Sequence, residues 1–203
     1  MKKTEENKIA SPRRLGVESS QTRHALLDAA ELIMREEGYA AVTSRHVANR
    51  AGLKPQLVYY YFRTMDDLLL ALYRRRTERG FAQLETLLTA PQPLHTLWNF
   101  LCDPTHSGLT TEFMALANHR KIIGDVIAQQ AEQLRTRQAE LFTRILRERG
   151  IDTEQYPPVV LSMLIATLSQ VLVREQALGI KAGHAELSAL IERILDQLEP
   201  PTA

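Results

Sequence analysis

Residues 43–69 read TSRHVANRAGLKPQLVYYYFRTMDDLL, and the order of start and stop signals along this stretch decides the fold. Thr43 and Ser44 each carry a hydroxyl that can accept from the free amides of a helix beginning near Arg45. Val47, Ala48 and Ala51 form the inward face of that helix, and Gly52 ends it. Pro55 has no amide hydrogen to lose in a first helical turn, so it opens a second short helix that runs through Phe62. After Arg63, Thr64 caps a longer helix with Asp67 in its first turn, where a carboxylate meets the positive end of the helix dipole. Two short helices joined by a tight glycine turn make a helix-turn-helix pattern.

Upstream, Leu26, Ala29, Ala30, Ile33 and Met34 recur at helical spacing between a capping Ser19 or Ser20 and a terminating Gly38, which predicts a helix over about 20–37. Residues 1–19 are polar, carry Pro12 and Gly16 and show no helical period, so they are expected to form a mobile arm. Downstream, the helix from Met65 to about Leu88 contains no proline and is closed by Pro91 and Pro93. Further helices are expected at about 94–102, 109–118 and 120–149, with a loop at Asp103–Gly108 marked by Pro104 and Gly108. Pro157 and Pro158 set the next boundary, followed by the strongly apolar run Val159–Ala177. A last helix over about 184–198 places Leu187, Leu190, Ile191, Ile194, Leu195 and Leu198 on one face before Pro200 and Pro201. No stretch alternates with period two for long enough to form a strand, so the expected class is all-α, without internal repeats.

The chain has 203 residues, of which 44% are hydrophobic and 24% charged, the balance of an ordinary globular protein. The polar N-terminus precedes no apolar run of signal-peptide length, and the single cysteine, Cys102, has no internal disulfide partner. A cytoplasmic protein with no membrane partner is the expectation. The formal net charge of +1 conceals an asymmetry: residues 1–79 carry fifteen Lys/Arg against ten Asp/Glu, and the remainder ten against fourteen. A basic first third is what a nucleic-acid surface requires.

The ordered set in residues 43–69 resembles the DNA-binding segment of the tetracycline-repressor-like (TetR) family. It combines a capping Thr at the second helix, Ala and Gly before the turn, an aromatic run ending in Phe, and an acidic-Leu-Leu start to the fourth helix. The resemblance covers about residues 20–75. After the arm over 1–19, it implies a helix-turn-helix DNA-binding domain over 20–64 and a helical ligand-sensing and dimerisation domain over 65–203. On that template Arg45, Gln56 and Leu57 are the expected base readers: Arg bonds guanine, Gln bonds adenine, and Leu meets a thymine methyl. Lys54 serves bases or backbone. Thr43, Tyr60, Tyr61 and Arg63 occupy positions that hold phosphates in the family, and Ser44 joins them at the N-terminal amides of the second helix.

Three consecutive tyrosines cannot all face one way on a helix, so Tyr59 is assigned to the core with Phe62, Val47 and Leu68. Two positions depart from the family pattern: Tyr61 stands where His is frequent, and Met65 where a phosphate-binding Lys is common. The missing donor shifts the backbone grip toward Arg63 and toward Lys2, Lys3, Lys8, Arg13 and Arg14 of the arm, which suit an adjacent minor groove.

The family also implies a homodimer joined by its last two helices and a pocket for a small, largely apolar effector. Trp98, Phe100, Leu101, Cys102, Phe113, Met114, Ala117, His119, Met163 and Thr167 are the expected lining. The reading is thus a repressor of a palindromic double-stranded DNA operator, with an activator of the same fold, or a helical protein-binding adaptor, as alternatives. There is no Gly-rich phosphate loop, nucleophile elbow or His-Glu-x-x-His, so neither an enzyme nor a cofactor is expected. Cys102 and His106 make a Cys-x-x-x-His pair, two of the four ligands zinc takes.

Overall fold

The start and stop signals act where they are written. Ser20 Oγ accepts from Arg23 N at 3.1 Å and caps helix α1, Gln21–Glu37, which ends at Gly38. A single 3-10 turn, Tyr39–Ala41, leads to α2, Ser44–Arg50, and then to α3, Pro55–Tyr61, and α4, Met65–Leu87. The remaining helices are α5, Pro93–Cys102; α6, Pro104–His119; α7, Lys121–Glu148; α8, Pro158–Ala177; and α9, His184–Leu198. Among the described residues the fold is all-α. The computed structural model describes residues 20–87 and 89–200, and of His106 and Ser107 only the backbone. The arm expected over 1–19 lies outside the described residues.

One expected boundary is corrected. Asp103–Gly108 is not a loop: Asp103 caps α6, its Oδ1 accepting from Thr105 N at 2.8 Å, and the helix runs unbroken through Gly108. Pro104 stands at the first helical position, where it starts a helix instead of breaking one.

The chain divides into two compact units, one ending at Leu69 and the other beginning at Leu70, and α4 has residues in both. The first unit is built on the apolar stripe of α1. Leu26, Leu27, Ala30, Ile33 and Met34 are buried together with Val42, Val47 and Ala48, Val58, Phe62 and Leu68. Its surface is braced from the end of α1 to α2 by the Glu36–Arg50 ion pair and by Glu37 beside His46 Nε2 at 3.4 Å.

In the second unit a core cluster contains Leu84 of α4; Leu94, Leu97 and Trp98 of α5; Leu141, Phe142, Ile145 and Leu146 of α7; Ile165 and Leu172 of α8; and Leu195 and Leu198. Burial of side chains this size contributes roughly 1.5–3 kcal/mol apiece. Between α7 and α8 the buried Ser162 donates to Gln138 Oε1 at 3.1 Å. At the far end of α9 the fully buried Glu199 carboxylate accepts from the Leu94 and His95 amides, each at 3.0 Å from Oε2, and from His95 Nδ1 at 2.9 Å. Arg149 lies 3.4 Å from its other oxygen. The first amides of α5, which no residue of that helix can satisfy, are thus capped by the chain's last helical segment.

Candidate nucleic-acid interface

Thr43 adopts an extended conformation and its Oγ1 accepts from His46 N at 3.3 Å, which starts α2 and puts Arg45, exposed, in its first turn. At the end of α2, Leu53 N donates to Ala48 O at 2.9 Å across Gly52, whose φ of +68° is the left-handed conformation that L side chains resist. The turn delivers Lys54 as the cap of α3 and Gln56 into its first turn, both exposed. Leu57 is half-buried, which commits part of its side chain to packing before any thymine methyl is met.

The tyrosine run is placed differently from expectation. Tyr59 is not core: it is 52% exposed, and its hydroxyl donates to Ser44 Oγ at 3.2 Å. Val58 and Phe62, four residues apart and therefore on one face, are the buried pair, which turns Tyr59 about 100° away from the interior. Tyr60 is exposed and Tyr61 half-buried, their rings edge-on at 5.0 Å. Phe62 lies under the Arg23 guanidinium, 5.0 Å from its ring centre. Thr43 and Arg63 are exposed, and Ser44 is half-buried as the acceptor for Tyr59.

The electrostatics separate two classes of side chain. Arg50 is paired with Glu36, and His46 Nε2 lies 3.4 Å from Glu37. Among the described residues, Arg45, Lys54 and Arg63 have no carboxylate partner. The segment therefore presents Arg, Lys, Gln, Thr and Tyr donors around two short helices, a set able to bond phosphates and base edges. The basic residues of the arm lie outside the described residues.

The ten residues expected to line an effector pocket are divided by the structure. Trp98 and Phe113 are buried, Phe113 against Tyr73 with ring centres 5.0 Å apart. Phe100, Leu101, Cys102 and Ala117 are half-buried, and Leu101 and Cys102 pack on the core cluster with Trp98. Met114, Met163, His119 and Thr167 are exposed, Met114 by 53%. Burial pushes the Cys102 thiol up to about 11, with Glu192 adding to the shift. Burial likewise raises the Tyr73 hydroxyl, opposed by Thr77 and Arg76. The side chain of His106 lies outside the described residues. A cavity of about 400 Å³ is lined by Leu84, Glu85, Arg137, Glu140, Leu141 and Arg144, none of them among the ten.

Residues 26–72 match the model of the family described as bacterial regulatory proteins, tetR family. Over 52 residues the chain is 40% identical to the HTH-type transcriptional regulator BetI of Rhizobium meliloti, covering 26% of each chain. It is 28% identical over 125 residues to the HTH-type transcriptional repressor BepR of Brucella suis, covering 59% of this chain and 56% of that protein. The chain thus spans about a quarter and just over half of the length of these two curated relatives. In fold it is similar to the fatty acid degradation regulator FadR from Bacillus halodurans, with a TM-score of 0.67 at 18% identity, covering 91% of this chain and 97% of that one.

Proposed function

We propose, from the premise that this chain is a TetR-family transcriptional regulator, that it acts in the cytoplasm as a homodimeric repressor of a palindromic operator, released by a small, largely apolar inducer. The observation that carries this reading is the exposure of α3: Val58 and Phe62 anchor it, while Gln56, Tyr59 and Tyr60 stand outward beside the unpaired charges of Arg45, Lys54 and Arg63. In this reading Arg45, Gln56 and Lys54 address base edges, Leu57 adds an apolar contact, and Thr43, Ser44, Tyr60, Tyr61 and Arg63 hold phosphates. Tyr59 joins the phosphate set, because its hydroxyl is at the surface at the start of α2.

The dimer is supported by α8, which is apolar and long enough to cross a membrane by length and composition, with 28% of that window buried. Val160, Met163 and Leu164 of α8 and Leu190 and Ile194 of α9 are exposed. A second copy of the chain covers such a surface under two-fold symmetry. Because α8 also buries Ser162 and Ser169 against its own unit, we assign its open face to a protein partner and not to lipid. Repression is favoured over activation because BepR is named a repressor. The inducer site is assigned to the apolar surroundings of Trp98, Leu101, Cys102 and Phe113.

Selection of bound duplexes from a random pool tests the DNA half of the proposal. The expected product is a palindrome whose half-sites lie one helical turn, ~34 Å, or a multiple of it apart. Recovery of duplexes without symmetry or preference counts against a sequence-reading dimer. The inducer half is tested by titrating an apolar ligand found by screening into free protein and into the operator complex. Coupling of about 1–3 kcal/mol weakens ligand binding in the complex by roughly 5–150-fold, and equal affinities remove the sensing role.

A further inference from the structure

The cavity lined by α4 and α7 combines an apolar floor with opposed charges. Arg137, Glu140, Leu141 and Arg144 follow one another at i, i+3, i+4 and i+7, so they share one face of α7. Leu141 and Leu84 are buried and form the floor. The cavity's volume of about 400 Å³ is within the range of small-molecule sites. Arg137 is already engaged: its guanidinium lies over the Phe81 ring at 4.5 Å and 3.8 Å from Glu85.

Glu140 and Arg144 are in a different state. A glutamate four residues before an arginine is the order that favours pairing along a helix. Yet these two form no ion pair with each other, and among the described residues neither has a hydrogen-bond or ion-pair partner. They leave a carboxylate and a guanidinium about one helical turn apart at the edge of an apolar floor.

We propose that this cavity binds a free α-amino acid with a bulky apolar side chain: its carboxylate on Arg144, its ammonium on Glu140, its side chain over Leu84 and Leu141. The four charged residues of the lining sum to zero, so a ligand with net charge is repelled by one pair as it is attracted by the other. A zwitterion satisfies both signs. A carboxylate matches the planar fork of arginine, and the two charges of an α-amino acid are close enough to bridge neighbouring positions on one helix. The site shares no residue with the set expected to hold the inducer and does not depend on the DNA-binding reading.

The experiment titrates the full chain, without DNA, with L-phenylalanine, followed by amide chemical shifts and calorimetry. Three probes each lack one feature: N-acetyl-L-phenylalanine the ammonium, L-phenylalaninamide the carboxylate, glycine the side chain. Shifts confined to residues around 84–85 and 137–144 are expected, with affinity falling at least about tenfold for each probe and for Arg144→Gln and Glu140→Gln. Both side chains are exposed, and thermal melts verify that the variants remain folded. No shifts at millimolar L-phenylalanine, or binding unchanged by Arg144→Gln, or either the acetylated or the amidated probe binding as tightly as L-phenylalanine, overturns the proposal.

Discussion

The hydroxyls of Tyr59 and Ser44 meet at 3.2 Å on the surface of the first unit, so two of the side chains proposed to contact DNA are joined by a bond lying outside the core. Single substitutions there act on binding with little effect on folding. Arg45→Ala and Gln56→Ala are each expected to lose about 1–3 kcal/mol at the selected operator and less on random DNA. Competition assays with both DNAs measure the difference, and equal losses would reassign the residue to phosphate. Arg63→Ala should lower the slope of log affinity against log salt by about one unit, since one fewer counterion is displaced. Cys102 gives a prediction in pH. With its thiol at about 11, only about a thousandth is thiolate at pH 8, because the deprotonated fraction falls tenfold per pH unit below the midpoint. Iodoacetamide should therefore label native Cys102 slowly at pH 8 and much faster near pH 11, whereas urea-unfolded protein should react readily at pH 8. Rapid labelling of the native protein at pH 8 would contradict the burial of that thiol.

At the scale of the element, helix ends carry the most readable chemistry. Thr64 and Asp67 bond reciprocally at the start of α4, Asp67 N to Thr64 Oγ1 at 3.1 Å and Thr64 N to Asp67 Oδ2 at 3.0 Å. Either alanine substitution is expected to cost about 1 kcal/mol in urea denaturation. The double variant should cost less than the sum, because each change spoils the same turn; strict additivity would deny the reciprocity. These caps and Gly38 and Gly52 are local, so α1 to α4 were legible from the sequence to within a residue or so. The start of α6 was not, since Pro104 and Gly108 suit a loop equally well until Asp103 is seen to cap it. Tyr59 was misplaced because three like residues in a row leave the helix phase open, and only the buried pair Val58 and Phe62 fixes it. Glu199 gave no signal at all: its amide partners lie 105 and 104 residues away. Removing that carboxylate in Glu199→Ala should destabilise the second unit by about 2–3 kcal/mol, the loss typical of charge-assisted bonds left unmade in the interior. Glu199→Gln, which keeps an acceptor, should cost less. Comparable melting of both variants and the parent chain would remove its capping role.

At the scale of the whole molecule, the proposed dimer makes the exposed apolar residues of α8 and α9 the link between assembly and DNA binding. A glutamate introduced by Leu190→Glu or Ile194→Glu cannot be buried against a second copy without a large desolvation penalty. Both variants are expected to sediment as monomers, to bind the palindromic operator much more weakly, and to bind a single half-site as before. A dimer that persists in both would place the interface elsewhere.

The capping of α5 by Glu199 also sets an order of events on the ribosome, where synthesis delivers N-terminal segments first. The bonds that close the first unit span short stretches of chain, 15 residues for Tyr59 to Ser44 and 14 for Arg50 to Glu36. That unit can gain its tertiary contacts while the rest is still being translated. The second unit is completed later: the amides at the start of α5 wait for a carboxylate made more than a hundred residues later. A nascent chain stalled before Glu199 emerges should carry a protease-resistant N-terminal unit and a protease-sensitive remainder.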